Sequence, residues 1–453
     1  MTWFTPLSRR ELLVRTLAGS ALLTPLAVMA PRAVAGTGAG QSARPAPASE
    51  FDAAVATAWL DQLLALIRAT PGYSPPVASR AIAYAGISLY EAIVAGMPDH
   101  RSLAGLLPSL APLPAAGANA AYHWPIAANA GLAEILRSLF PGAPASQLAA
   151  LDRLEATIVA TAPRGIRERS IEHGRAVARA VFAWSATDGG HEGYLRNVDS
   201  GYVPPVGPGL WEPTAPGFLP ALQPHWGANR HFTGASSECD SPPPVPYSTD
   251  PGSACFLQAL EVSETVSQLT AERLEIARFW SDDPGTTATP PGHSLSILSQ
   301  VVRARDVSLA GAAEAWARLG IAVADAFIGC WRVKYRDNLL RPITYIRATI
   351  DPGWGDPLPL VTPPFPEYTS GHSIQSAAAA AVLTAQFGAA AFEDHTHDAR
   401  GLAPRSFASF DEAANEAAIS RLYGGIHFRG AIEEGLVQGR RIGALAAALP
   451  LAG

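Results

Sequence analysis

The sequence predicts an all-α protein, packed helical bundles joined by long loops rich in proline and glycine. Apolar residues recur at three- and four-residue spacing over much of the chain, the period of a buried helix face. Convincing strands are lacking. The 40 glycines and 40 prolines fit structured connections rather than low-complexity disorder, because 10 tryptophans and 11 tyrosines accompany them. With 453 residues, 48% of them hydrophobic, the chain can bury a large core in one big or two intimately packed helical domains. A net charge of −6 gives no nucleic-acid signature.

Taken in order, the chain opens on an address. Arg9 and Arg10 precede an apolar stretch at 17–29, and Ala33-Val34-Ala35 stands before Gly36. That is a basic region, a short apolar core and a small-residue cleavage site, with the paired arginines of twin-arginine export. Residues 1–35 are expected to be removed, with the periplasm or the medium as destination. Residues 36–50, rich in Gly, Ala, Pro and Ser, read as a flexible leader. A helix follows over 51–67, where Val55, Trp59, Leu63 and Leu66 line one face. The same pattern predicts helices over 77–95, 119–140, 145–161, 166–184, 254–279, 295–305, 309–340, 374–387, 411–420 and 428–448. The most apolar stretches considered, 309–328 and 374–392, carry polar or charged residues or are dominated by alanine, so no membrane span is expected in the mature chain. Cys239 and Cys255 flank a Pro/Ser-rich loop and either pair or remain thiols, whereas Cys330 lies in an apolar helical segment and reads as buried.

Three clusters in the second half carry the chemistry: Lys334 with Arg341-Pro342, Ser370-Gly371-His372, and Ser420-Arg421 with His427. One such triplet arises by chance, but all three in this order gather three cations and two imidazoles. A small tetrahedral or trigonal-bipyramidal oxyanion asks for such a set, since its oxygens need donors on every side. Lys334 and Arg341 stand seven residues apart, close to two helical turns, and are expected on one helix face, with Trp331 one turn earlier and Pro342 stopping the helix. The proline-rich approach 363–369 leads into an Ala-rich helix whose N-terminus offers unpaired N–H groups to an anion, with Gly371 allowing close backbone approach. Gly424-Gly425 interrupts the chain between Arg421 and His427, which an unbroken helix would point about 120° apart. The glycines re-aim His427.

The order, spacing and identity of these clusters resemble the vanadium-dependent haloperoxidases and their relatives, the type 2 phosphatidic-acid phosphatases. Thr369 departs from the proline that usually precedes Ser-Gly-His. The resemblance implies a supporting helical bundle over 51–190 and a second helical region over 191–453 that holds the site. It implies that His427 binds vanadate in a haloperoxidase or is the phosphorylated nucleophile in a phosphatase, and that His372 is the acid–base group. Lys334, Arg341, Arg421, Ser370 and the Gly371 N–H would hold the equatorial oxygens.

Trp331 and Phe365 occupy positions that resemble the aromatic halide site of fungal chloroperoxidases; algal bromoperoxidases place a histidine near the Phe365 position. Both residues read equally well as ordinary core aromatics. Residues 201–232 and 279–293 resemble loops of bacterial haloperoxidase-like proteins, and their tryptophans argue that they are packed. Asp282 or Asp283 either orients His372 or an arginine, or belongs to a surface turn before Pro284-Gly285, the reading favoured for each alone. For the run Asp394-His395-Thr396-His397-Asp398 a solvated loop is favoured over a metal site, and His293 alone reads as structural.

Three readings follow, of which a non-catalytic oxyanion-binding protein is disfavoured because binding alone does not require both His372 and His427, which leaves two enzymes. In an exported haloperoxidase with hydrogen peroxide, halide and an organic acceptor as small-molecule substrates, vanadate acts as a Lewis acid, His372 takes a proton from the incoming peroxide and Lys334 polarises it. In an acid phosphatase without a cofactor, phosphate occupies the same pocket, His427 forms the phospho-enzyme and His372 protonates the leaving alcohol.

Overall fold

A computed structural model describes residues 46–234 and 239–452, so the export signal and most of the leader lie outside the described residues. Thirteen α-helices dominate the described residues. The first five are α1 (Ala54–Ala69), α2 (Pro75–Ile93), α3 (Trp124–Leu139), α4 (Ala145–Ala160) and α5 (Arg164–Ser185). After a long irregular stretch come α6 (Ala254–Ser267), α7 (Ala271–Phe279), α8 (Thr289–Ala304), α9 (Leu309–Asp337) and α10 (Pro342–Thr349). The last three are α11 (Gly371–Phe387), α12 (Phe410–Tyr423) and α13 (Arg429–Ala447). All-α is the correct class, with one small addition: β1 (Phe392–Asp394) pairs antiparallel with β2 (Arg405–Phe407).

The 29-residue α9 is the axle of the molecule. It packs on α2 along one side and on α11 and α13 along the other, which joins the first half of the chain to the second. Both axle and partner are largely buried, and the charged groups that α9 does enclose, such as Asp325 and Lys334, are hydrogen-bonded. Helix α2 and the turn after it are long and apolar enough to cross a membrane, yet 94% of that window is buried inside the protein. It is a core helix. The irregular 201–232 stretch is packed in part: Trp211 and Trp226 are buried and Phe232 and Thr233 donate backbone N–H groups to buried Asp325 of α9, while Val203, Val206 and Phe218 are exposed.

Local chemistry explains where the elements depart from the periodic pattern. The expected helix over 254–279 breaks into α6 and α7, because Thr270 caps the second one through its hydroxyl to the Arg273 N–H at 3.2 Å. Helix α8 starts six residues before the expected 295, since Pro290 and Pro291 fall in its first turn, where a missing N–H costs nothing. The expected helix over 309–340 ends at Asp337, where Asn338 takes a left-handed φ of 48°. Pro342 then opens α10 rather than only stopping α9. No disulfide joins Cys239 to Cys255, and Cys330 is buried on α9.

Helices α11 and α13 press together through small residues. Alanines 377–381 line α11, and Gly435, Gly439 and Gly443 recur every four residues on α13. A Cβ at Gly439 would overlap the Ile374 carbonyl oxygen, and at Gly435 it would stand 2.8 Å from Ser373 Cβ. At Gly443 it would meet the Ala378 carbonyl at 2.5 Å. This close approach also brings the Ala431 carbonyl within 3.0 Å of the Ser370 N–H, which ties the start of α11 to α13.

Candidate active site

The three clusters converge at the C-terminal end of α9. Lys334, Arg341 and Arg421 are buried, as are Ser370 and His427; Gly371 and His372 are half-buried. Lys334 and Arg341 meet for a different reason from the one their spacing suggests. Arg341 is not on the helix of Lys334 but is the N-cap of α10, and the turn at Asn338 swings it back. Both cations then lie over the Phe365 ring, with Lys334 Nζ 5.1 Å and Arg341 Cζ 4.9 Å from its centroid.

Each cation is anchored by carbonyls. Lys334 Nζ donates to the Pro366 and Glu367 carbonyls at 2.9 and 2.8 Å, leaving one of its three donors. Arg341 Nε donates to the Phe365 carbonyl and Nη1 to the Ile426 carbonyl, while Nη2 is buried without a partner. Arg421 is held by the carbonyls of Ala277 and Trp280 through Nη2 and by Ser420 Oγ through Nε.

His427 follows the turn that the glycines make. Gly425 takes a φ of +74°, open to glycine without strain, and His427 stands just before the N-cap of α13. Its Nδ1 lies 2.7 Å from Glu367 Oε1, which also accepts the Phe428 N–H at 2.8 Å. Oε1 therefore acts as an acceptor, Nδ1 carries the ring hydrogen, and Nε2 presents its lone pair 3.3 Å from Arg341 Nη1. Glu367 is the site residue that sequence reasoning missed. Its signal was an acid two residues after Phe365 in a motif otherwise surrounded by cations.

Ser370 caps α11 by accepting the Ser373 N–H at 3.3 Å, and helix geometry leaves the first amides without intrahelical acceptors. A Cβ at Gly371 would make only ordinary contacts, 3.9 Å from Trp331 and 4.0 Å from Phe327, so protein packing alone does not demand glycine there. Trp331 packs against Phe365 with centroids 4.9 Å apart and donates its indole N–H to the Leu222 carbonyl at 3.1 Å. It is a buried core residue beside the ring over which the two cations lie.

The charges are far from balanced. Burial lowers Lys334 to about 7 and Arg341 and Arg421 to about 10, while burial raises Glu367 to about 7 against the pull of Arg341 and Lys334. Both arginines stay protonated at neutral pH. Burial, aided by neighbouring cations, holds His372 and His427 well below the ordinary histidine range, so both rings are neutral. His372 hydrogen-bonds to the Trp280 backbone, and its Nε2 has no partner. Unpartnered Arg341 Nη2, unpartnered His372 Nε2 and a neutral, oriented His427 fit a bound oxyanion such as vanadate: they offer it donors, a proton acceptor and a ligating lone pair.

Beside this pocket lies a second buried cluster. Asp282 is not in a surface turn; it is buried, unlike exposed Asp283, and stands 2.8 Å from His293 Nδ1. His293 Nε2 lies 2.7 Å from Asp394 Oδ2, and His397 Nε2 lies 3.4 Å from Asp282 Oδ1. The run 394–398 is thus only partly a solvated loop: His395 is exposed beside Glu393 and Asp398, whereas Asp394 and His397 are buried. Ligand atoms of Asp282, His293 and His397 all lie within 4.8 Å of one another, residue types and spacing that could hold a metal ion. With both nitrogens of His293 facing carboxylates, the cluster is joined as a hydrogen-bond hub.

Comparison with known proteins bears on the fold and the family. The family model described as the VCPO second helical-bundle domain matches residues 314–450. No curated protein matches. The crystal structures of holo- and apo-type bacterial vanadium-dependent chloroperoxidase share the fold at 19% and 17% identity, with TM-scores of 0.63 and 0.61. They cover 83% and 82% of this chain, and 92% of each of theirs. The crystal structure of a bacterial vanadium-dependent iodoperoxidase is 34% identical over 89% of this chain and 98% of its own, with a TM-score of 0.81. Identity at that level over nearly the whole of a relative is more than a shared fold, and the chain belongs to the vanadium-dependent haloperoxidases.

Proposed function

We propose that the protein oxidises halide with hydrogen peroxide, using vanadate held by His427. The observation that carries this reading is the neutral His427, its Nδ1 hydrogen committed to Glu367 and its Nε2 lone pair aimed among buried cations. Vanadate, when bound, supplies Lewis-acid activation of peroxide without a change of valence. Lys334, Arg341, Arg421, the Ser370 hydroxyl and the Gly371 N–H would neutralise and orient its oxygens. His372 Nε2, unpartnered and neutral, would accept the proton that peroxide gives up on entry. Trp331 and Phe365 would offer the apolar wall that suits a large polarisable anion.

Since the 34%-identical relative is an iodoperoxidase, iodide is the first halide to test. Protein freed of vanadate is expected to be inert toward iodide and peroxide and to gain activity on addition of orthovanadate. Hydrolysis of an aryl phosphate, inhibited by vanadate and without halide oxidation, would replace this reading with the phosphatase one. We further infer export through the twin-arginine route, for which the mature N-terminus is expected at Gly36 by N-terminal sequencing.

A further inference from the structure

Arg421 and His372 share a dependence on one short segment. The carbonyl of Trp280 accepts from Arg421 Nη2 at 2.6 Å, and the same residue's backbone hydrogen-bonds to His372. Whatever fixes residues 280–282 therefore fixes two groups of the pocket. The Trp280 indole N–H donates to Glu416 Oε1 at 2.9 Å, and its ring stacks on His293 with centroids 4.4 Å apart and planes at 17°. Two residues on, Asp282 takes a φ of +50°, a conformation costly for a residue other than glycine. Its buried carboxylate bonds His293, and His293 bonds Asp394, whose Oδ1 accepts the Thr396 N–H at 2.9 Å.

We infer that His293, backed by Asp394, is a positioning residue for the oxyanion pocket: clamped between two carboxylates, it locks the 280–282 segment from which Trp280 holds Arg421 and His372. The chemistry of the clamp is specific. Asp282 and Asp394 each present an acceptor to one ring nitrogen, so both nitrogens carry hydrogen and the ring is a cation between two anions. A neutral side chain in its place leaves at least one carboxylate facing nothing of opposite charge, and the segment loses the bond that holds it in a left-handed turn. His397 faces Asp282 from the other side and adds a contact at 3.4 Å. None of these residues need touch substrate.

The test uses the full chain freed of vanadate, with orthovanadate as the probe, and compares wild type with His293→Gln, Asp394→Asn and the core control Ile297→Val on α8. Affinity for orthovanadate reads Arg421, and the acid limb of turnover against pH reads His372. His293→Gln is expected to weaken vanadate binding about tenfold or more and to displace the acid limb. Asp394→Asn, whose carbonyl still accepts from His293, should do the same to a smaller degree. Ile297→Val should lower the melting temperature and move neither readout. A folded His293→Gln that binds vanadate within about twofold of wild type overturns the proposal, and should that variant not fold, the same result for Asp394→Asn overturns it. One equivalent of tightly held metal in the purified protein, lost in His397→Ala, would overturn it too by making the cluster a metal centre. The inference rests on the oxyanion reading of the pocket: wild type without vanadate affinity brings down both, whereas wild-type binding with unaffected variants brings down this one alone.

Discussion

Two buried charge clusters lie side by side in this molecule, and they solve the problem of burial in opposite ways. Around His293, cation and anion alternate: Asp282, His293, Asp394, with bonds of 2.8 and 2.7 Å. Burial alone would lower His293, yet the flanking carboxylates outweigh it and raise the ring to about 10, while Asp394 is held down at about 2. Around His427 gather Lys334, Arg341 and Arg421, with Glu367 beside the first two and Asp282 and Asp283 acting on Arg421, and Arg341 Nη2 has no partner. A cluster whose groups are all partnered is complete as it stands, whereas one with an unpartnered buried cation gains from a further anion. Unpartnered buried groups, Arg341 Nη2 and His372 Nε2, separate the ligand site from the brace.

That comparison can be broken by substitution. The largest effect is expected from His427→Ala, which removes the ligating lone pair and should reduce orthovanadate affinity by more than about 100-fold in calorimetry. Retained binding would move the ligand role elsewhere. Next come paired measurements of stability in denaturant without oxyanion. His293→Leu leaves two buried carboxylates facing an alkyl group and should cost about 3–5 kcal/mol. Lys334→Met relieves repulsion among cations while freeing two carbonyls, and should stay within about 1 kcal/mol of wild type. Equal losses in the two variants would contradict the distinction. Smaller again is Glu367→Gln, whose carbonyl still accepts from His427 but lacks the charge. Vanadate binding should weaken about tenfold, with little change in stability.

The smallest expected effect is a pair of opposed pH slopes. Lys334 titrates at about 7 in the native protein against an ordinary 10.5, so between those values the unfolded chain holds the extra proton and stability rises with pH. His293 titrates at about 10 against an ordinary 6.5, so over that window the native chain holds the extra proton and stability falls with pH. From about pH 7 to 10 the two contributions offset each other in wild type. Lys334→Met should unmask the fall and His293→Gln the rise, read as melting temperature against pH. Parallel slopes in the two variants would mean that the clusters do not titrate as described.

Much of the pocket was legible in the sequence because its chemistry sits in short motifs. Arg421, the Gly424-Gly425 break and His427 lie within seven positions, and the conformational freedom of Gly425 is a local property. Lys334 and Arg341 were legible as a pair, but the helix between them was not interrupted in the reading as it is at Asn338. An asparagine after a charged turn is a weak stop signal, and Pro342 served both as a stop and as a start. Glu367 was missed because the motif drew attention to Ser370 and His372. In extended chain, residues two apart face the same side, and Phe365 on the cations pointed to where Glu367 goes. The brace was legible only in pieces: orienting His372 or an arginine was one reading of Asp282, and His293 and the 394–398 run stood out singly, but nothing joined them. Asp282, His293, Asp394 and His397 come from three segments up to about a hundred positions apart, each with an unremarkable local setting, and only packing brings them together.

The glycine row on α13 has a consequence for the calibre of the pocket. Ser370 and Gly371 ride on the first turn of α11, and His427 on the approach to α13, so the gap between these walls follows the spacing of the two helices. At Gly435 and Gly439 the helices are already as near as backbone allows. The pocket is thus gauged from a hard stop, as a vice is closed against a shim. A single methyl group added to that row would widen the jaws without altering any group that grips the anion.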